Sequence, residues 1–160
     1  MFEDFSDILK YKEIGQYQIQ GFYDNEIFFD CIYEPTYNLC NFTLIGQVRE
    51  ILFFIAYVNA RVFAKKQKWQ IIRTITNISE LDANFYEINE FLSKSYIPKM
   101  VKEGLKYTAI ASLDMENLSH LSTIYTLNKE IRIEIEDQII TNKAFNDYFE
   151  AYQWIVNESR

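Results

Sequence analysis

The chain has 160 residues, of which 49% are hydrophobic and 17% are aromatic, so it is long enough for one domain with a substantial core and too hydrophobic for a disordered protein. Its formal net charge of -7 repels phosphate backbones and anionic membranes, which predicts that nucleic acid is not a partner. We therefore expect a single domain over residues 1–160, in which residues 1–16 form an N-terminal extension.

The location expected from the sequence is the cytoplasm. Cys31 and Cys40 are too few for a disulfide framework, and the first ten residues lack the basic start and apolar centre of a signal peptide. Residues 44–64 have the length of a membrane span, but polar and charged residues interrupt every apolar window of that length. The sequence thus predicts no transmembrane segment.

The N-terminal third predicts a short helix followed by a hairpin. Helical spacing in the first ten residues is shown by Phe2, Phe5, Ile8 and Leu9. Residues 17–23 and 26–33 read as two antiparallel strands, because Asp24 and Asn25 between them form a plausible two-residue turn. Pro35 then ends the second strand.

Residues 43–66 predict a long helix, since they contain no proline and their apolar residues recur at three- and four-residue steps. The repeating positions are Leu44, Val48, Ile51, Leu52, Ile55, Val58 and Val62. The other side of this helix carries Phe53, Phe54 and Tyr57, so the apolar surface is wider than one sheet face needs. These three aromatic residues are the candidates for an interface or for the wall of an apolar pocket. The best candidate for a basic patch that could bind nucleic acid is formed by Arg61, Lys65, Lys66 and Lys68. These cations are explained more simply by their position at the end of the helix, where they complement its dipole.

Residues 69–76 are rich in β-branched side chains and predict a strand, and residues 77–81 predict a loop. Asp82 is a suitable N-cap for the next helix, which Pro98 either kinks or divides and Gly104 ends. The apolar face of that helix contains Phe85, Ile88, Phe91 and Leu92. Residues 107–113 then predict a strand that is covered on both faces.

The last third predicts helix, strand and helix. Asp114 or Asn117 can cap a helix that runs to about residue 129. Residues 131–136 alternate as a strand that either has one wet face or lies at a sheet edge. Thr141 or Asn142 caps the final helix. Its apolar surface contains Phe145, Tyr148, Phe149, Tyr152, Trp154, Ile155 and Val156. The predicted order is ββαβαβαβα, which makes an α/β fold with a single, mostly parallel five-stranded sheet and an N-terminal antiparallel hairpin.

Four segments of the chain resemble small bacterial proteins of the STAS-like, or SpoIIAA-like, fold. They are the segment from Tyr96 through Pro98, the stretch from Gly104 to Tyr107 with Ala109, the 131–136 strand and the aromatic final helix. The resemblance covers roughly residues 17–157. It implies parallel strands in sequential order after a hairpin edge, as in the related CRAL-TRIO lipid carriers and anti-sigma factor antagonists. Many members have no assigned activity.

The antagonists carry a phosphorylatable serine in an Asp-Ser-Ser/Thr-Gly type motif after the third strand. Ser79 is the nearest hydroxyl in this chain, but the glycine is missing and acidic neighbours repel an added phosphate. Ser79 is therefore a weak candidate for a phosphorylation site and more simply a loop serine. The lipid carriers have extra helices that gate a large cavity, and this chain is too short to show an equivalent.

Catalytic and metal-binding patterns are weak throughout. His120 is the only histidine, and its neighbour Ser119 lies about 100 degrees away around a helix, so the two do not form a nucleophile and base. Glu134 and Glu136 share a strand face, but a solvated edge strand explains them equally well. The four glycines are scattered and form no phosphate-binding loop. We expect no catalytic, metal or cofactor residues.

Two functions remain open, with an enzyme third. The first is a non-enzymatic domain that acts by protein association, most simply as a homodimer, and a regulatory role is one form of this alternative. The second is a module that binds a small apolar ligand or lipid in a pocket lined by Phe53, Phe54, Tyr57 and the first hairpin. An aromatic excess without recognisable chemistry supports both.

Overall fold

The computed structural model describes residues 7–82, 85–111, 131–135 and 137–157. The strands are β1 (Leu9–Ile14), β2 (Gln18–Tyr23), β3 (Glu26–Glu34), β4 (Leu39–Gly46), β5 (Arg73–Leu81), β6 (Tyr107–Ala111), β7 (Ile131–Ile135) and β8 (Gln138–Phe145). The helical elements are α1 (Glu50–Lys66), α2 (Phe85–Phe91), a π-helical turn (Leu92–Tyr96), α3 (Ile97–Lys102) and α4 (Tyr148–Asn157).

The eight strands form one mixed sheet in the order β1-β2-β3-β4-β5-β6-β8-β7. Strands β1 to β4 are antiparallel to their neighbours, whereas β4, β5, β6 and β8 run parallel, and β7 pairs antiparallel with β8 at the far edge. The predicted five-stranded, mostly parallel, SpoIIAA-like sheet of ββαβαβαβα order is therefore wrong. The chain has a four-stranded antiparallel meander where the prediction had only a hairpin.

Three strands were missed, and each has a physical reason. Strand β1 is short and carries charged residues, which suits an edge strand but hides it in the sequence. Strand β4 is buried along most of its length, and its contiguous apolar residues also fit the start of a helix. Strand β8 contains Thr141, Asn142 and Lys143, which suggest a helix cap until the neighbouring strand is known.

Several local predictions are confirmed. Asp24 and Asn25 form the β2–β3 turn, and both have positive φ angles, of 49° and 66°, as two-residue hairpin turns require. Gly104 has a φ of 117° just after α3 ends. Pro98 stands in the first turn of α3, directly after the π-helical turn, and so marks the division of this helix. Strand β7 is an edge strand as its alternation indicates.

Other boundaries differ from the prediction. Helix α1 begins at Glu50 rather than at residue 43, because β4 occupies the preceding residues. Strand β5 extends to Leu81 and includes the segment that was predicted to be a loop, and α4 begins at Tyr148. Leu9 lies in β1 rather than in an N-terminal helix. Phe2, Phe5 and the predicted helix over 114–129 lie outside the described residues.

Helices cover both faces of the sheet. Helix α1 lies against β2 and β3, and the α2–π–α3 segment lies beside it over the same face, which holds the larger hydrophobic core. Helix α4 packs on β5, β6 and β8 from the other side, around Ile75, Ala109, Phe145 and Trp154. The parallel strands are thus covered on both faces.

A polar network ties α4 to β3 and β4. The Tyr152 hydroxyl donates to Glu34 Oε2 at 2.7 Å, and the Tyr148 hydroxyl donates to Asn41 Oδ1 at 2.7 Å. Asn41 Nδ2 in turn donates to Glu34 Oε1 at 3.0 Å. Because these groups satisfy one another, the carboxylate can lie between the sheet and the helix with its hydrogen bonds made.

Candidate functional site

Helix α1 has local sequence features that favour a stable helix. It contains neither glycine nor proline, and Glu50 lies in its first turn while Lys65 and Lys66 lie in its last, which complements the helix dipole. Lys66 reaches Glu13 of β1 at 3.4 Å, and Lys65 reaches Glu103, beyond α3, at 3.2 Å. These pairs join the C-terminal end of α1 to its neighbours on both sides.

The inward face of α1 is formed by aromatic and small residues. Phe53 and Tyr57 are fully buried, and the Tyr57 ring lies 4.8 Å from that of Phe42 and 4.9 Å from that of Tyr96 between ring centres. Phe54 is half-buried because its ring stacks on Phe91 of α2 at 4.6 Å. The three aromatic residues predicted to be an interface or pocket wall are therefore packed inside the domain or against α2.

The outward face of the same helix is also apolar. Ile51, Val58 and Val62 are 46%, 53% and 63% exposed, and Ile55 between them is half-buried. Steps of four, three and four residues place these side chains in one row, which we call the outward stripe. It runs from Ile51 to Val62, a distance of about 16 Å at the rise of an α-helix.

The outward stripe is unusual because the solvent-facing side of a surface helix normally carries charged and polar residues. Between Ile51 and Val62, the exposed positions of α1 have only aliphatic side chains. The one cation in this range, Arg61, is half-buried and pairs with Glu103. An aliphatic side chain that is half exposed forgoes on the order of 1 kcal/mol of burial free energy. A surface of this kind typically marks a contact with another molecule.

A groove beside the outward stripe separates α1 from β1 and β2. Tyr11, Ile19, Asn59, Val62 and Lys66 contribute to its walls. Burial raises the pKa of Tyr11 to about 12, and its hydroxyl lies near the Asn59 side chain. The stripe is therefore continuous, through Val62, with a surface that is partly shielded from water.

Comparison with known proteins does not assign a function to this surface. No known protein family, curated protein or solved structure matches the chain. The resemblance to the STAS-like proteins therefore stays a prediction, and function must be argued from the contacts of the chain itself.

The other residues singled out in the sequence do not converge on a site. Ser79 is exposed on β5, where its backbone N–H donates to Asn77 Oδ1 at 3.0 Å. Glu134 is exposed on β7. Glu136, Ser119 and His120 lie outside the described residues. Within the described ranges, no three His, Cys, Asp or Glu side chains come together as a metal site, and no helix has the length and apolar character needed to cross a membrane.

The two cysteines are close neighbours in the core. Cys31 on β3 and Cys40 on β4 are fully buried, and their Sγ atoms lie 3.3 Å apart. Burial raises the pKa of the Cys31 thiol well above its usual value, and the neighbouring Cys40 raises it further. Both residues therefore belong to the packed interior rather than to a reactive nucleophile site.

The sequence contains one signal that identifies the inward face of α1. Ala56, Ala60 and Ala64 repeat at four-residue steps, and all three are buried. Small residues let a helix approach the structure beneath it closely, whereas large aliphatic residues at the alternative positions fit either face. The alanine row therefore marks the side of α1 that faces the core, which Phe53 and Tyr57 share. Ile51, Val58 and Val62 lie on the opposite, solvent-facing side.

Proposed function

We propose that this domain acts by associating with a second copy of itself through the outward stripe of α1. The observation that carries the proposal is the exposure of Ile51, Val58 and Val62 on the side of the helix opposite the core. In an isolated domain the outward stripe faces water although its side chains are as apolar as those of a buried helix face. Covering the stripe with a second copy removes the free-energy cost of this exposure.

A second copy fits the outward stripe because the stripe is complementary to itself. When two α1 helices pair antiparallel around a two-fold axis, Ile51 of each copy lies opposite Val62 of the other, and Ile55 lies opposite Val58. The same pairing brings the Glu50 end of each helix towards the end that carries Lys65 and Lys66 in the other copy. Antiparallel helix dipoles and opposite charges therefore support the same arrangement.

The expected association is weak. Four half-buried or exposed aliphatic residues from each copy contribute on the order of 8 kcal/mol in total, at roughly 1 kcal/mol each. The loss of translational and rotational freedom offsets much of this gain, and the stripe is smaller than a standard interface of about 800 Å² per partner. An association cost of about 4 kcal/mol, the lower end of the range, leaves about 4 kcal/mol, so we expect a transient dimer with a Kd on the order of 1 mM. The proposal places the domain in the cytoplasm, where Cys31 and Cys40 stay reduced.

Sedimentation equilibrium across concentrations that bracket this Kd tests the proposal. We expect a monomer–dimer equilibrium for the natural chain and only monomer for Val58→Asp, because the new carboxylate would have to be buried without a partner. Ser95→Asp places the same charge at an exposed position away from the stripe and serves as the matched control. A natural chain that stays monomeric, or a Val58→Asp variant that still dimerises, would falsify the proposal.

A further inference from the structure

A small cleft lies under the π-helical turn, on the inner side of the parallel strands. Its cavity volume is about 80 Å³, and its walls come from β4, β5, β6 and β8 below and from α1, α2, the π-helical turn and α3 above. We call it the helix–sheet cleft. Its polar wall residues are Tyr57, Thr74, Thr76, Asn89, Ser93, Tyr96, Thr108 and Asn142.

The floor of the cleft contains a polar row that crosses three strands. Thr74, Thr108 and Asn142 are register partners on β5, β6 and β8, so their side chains lie next to one another. The Thr108 hydroxyl donates to Asn142 Oδ1 at 2.7 Å. Thr74, Thr76 and Thr108 are all buried. Polar side chains in the centre of an apolar sheet reduce stability unless they have hydrogen-bonding partners.

The Tyr57 hydroxyl is a buried polar group that no other side chain satisfies. Tyr57 is 0% exposed, and its hydroxyl makes no hydrogen bond to any described residue. The Thr76 side chain, also in the cleft wall, lies close to this hydroxyl without hydrogen-bond geometry. The hydroxyl is thus held beside the cleft without a geometric hydrogen bond, and the Thr76 side chain compensates only part of its burial.

The helix above the cleft is irregular at this point. The π-helical turn contributes Leu92, Ser93 and Tyr96 to the wall, and the α-helix resumes at Ile97. A π-turn inserts an extra residue into a helix and is frequently found at functional sites. Here it lies directly over the polar row, so the local distortion and the unsatisfied hydroxyl occur at the same place.

We propose that the helix–sheet cleft binds a small, neutral molecule that has a hydrogen-bonding group, and that the Tyr57 hydroxyl and the Thr76 side chain hold that group. The described residues of the cleft wall include no Asp, Glu, Lys, Arg or His, so a charged ligand would lose its hydration without gaining a partner. The volume is smaller than a cavity of about 150 Å³ that accepts benzene, which limits the buried part to a few non-hydrogen atoms. Short amides and alcohols meet both conditions.

This inference is independent of the association through the outward stripe, because Tyr57 lies on the inward face of α1. The two proposals can therefore fail separately. Weakening of the dimer by Val58→Asp leaves the cleft intact, and removal of the Tyr57 hydroxyl leaves the outward stripe intact.

Acetamide and acetate are matched probes, since they have nearly the same shape and differ in charge. We expect acetamide to shift the amide resonances of β5 and β6 around Thr76 and Thr108 saturably, with a Kd in the millimolar range, and acetate to cause no saturable shift there. Tyr57→Phe is expected to weaken acetamide binding at least tenfold. Tyr148→Phe removes a hydroxyl on the opposite side of the sheet and should bind acetamide as the natural chain does.

Thr76→Val, which keeps the shape of the side chain, supplies a second variant should Tyr57→Phe fail to fold, and it too should weaken binding. Equal binding of acetate and acetamide, undiminished binding by the folded Tyr57→Phe or Thr76→Val variant, or saturable shifts at another place only would each overturn the inference.

Discussion

Replacement of Tyr57 by phenylalanine should stabilise the domain in the absence of ligand. The phenylalanine ring can keep the ring contacts with Phe42 and Tyr96, at 4.8 and 4.9 Å, and the substitution removes only a hydroxyl that has no hydrogen bond within the described structure. An unsatisfied buried polar group costs about 1–3 kcal/mol. Because the Thr76 side chain lies close by and offers partial compensation, we expect the lower end, about 1 kcal/mol of increased unfolding free energy.

For a domain of this size, about 1 kcal/mol corresponds to an increase in Tm of roughly 2–4 °C. Urea denaturation followed by circular dichroism measures the free energy of unfolding directly, and the slope with urea should not change. Tyr148→Phe is the matched control, because its hydroxyl donates to Asn41 and its removal should lower stability by about 1 kcal/mol.

Opposite signs for the two Tyr→Phe variants would support the assignment of a satisfied and an unsatisfied hydroxyl. A loss of about 1 kcal/mol or more in Tyr57→Phe would refute the reasoning, since it would mean that the natural hydroxyl already makes a favourable hydrogen bond. Stability gained by removing a functional group is a common sign of a binding site, where the group is kept for its ligand rather than for the fold.

Alkaline pH should destabilise the domain, because burial raises the folded-state pKa of Tyr11 and of Tyr148 to about 12 while the unfolded value stays near 10. This contribution is fully present below pH 10 and is lost as the pH rises towards 12, so an unchanged urea midpoint between about pH 9 and pH 11.5 would contradict it. Cys31 and Cys40 are both 0% exposed, so they should react with a thiol reagent such as N-ethylmaleimide only as fast as the domain opens. Rapid labelling of the native protein at neutral pH would show that the core is not packed as described.

Local features of the fold could be predicted from the sequence. The Asp24–Asn25 turn, the stop at Gly104 and the edge position of β7 depend on a few adjacent residues and on the backbone conformations that those residues favour. The existence of α1 could also be predicted, because it is long and free of helix breakers. Strands β4 and β8 could not, since a strand is stabilised by neighbours that are distant in sequence.

The candidate site shows the same division. The sequence indicated correctly that the residues of α1 are apolar on more than one side, but it did not assign the two sides. Within α1 only the alanine row marks the inward side. Phe53 lies inside because Phe28 lies beneath it, and Tyr57 lies inside because Phe29 and Phe42 lie beneath it. These aromatic partners are distant in sequence, so the sequence of α1 does not show them. The outward stripe is what remains when that packing is made. The helix–sheet cleft could not be predicted at all, because its walls come from eight separate elements.

The sequence by itself determined the β2–β3 turn, the stop at Gly104 and the surplus of apolar surface, because each of these depends on neighbouring residues and on composition. Only the tertiary structure decided which face of α1 is buried, how the eight strands are ordered and where the Tyr57 hydroxyl lies. Those features depend on contacts between segments far apart in the chain. Two helix faces of similar hydrophobicity differ in free energy only once a particular partner surface is packed against one of them.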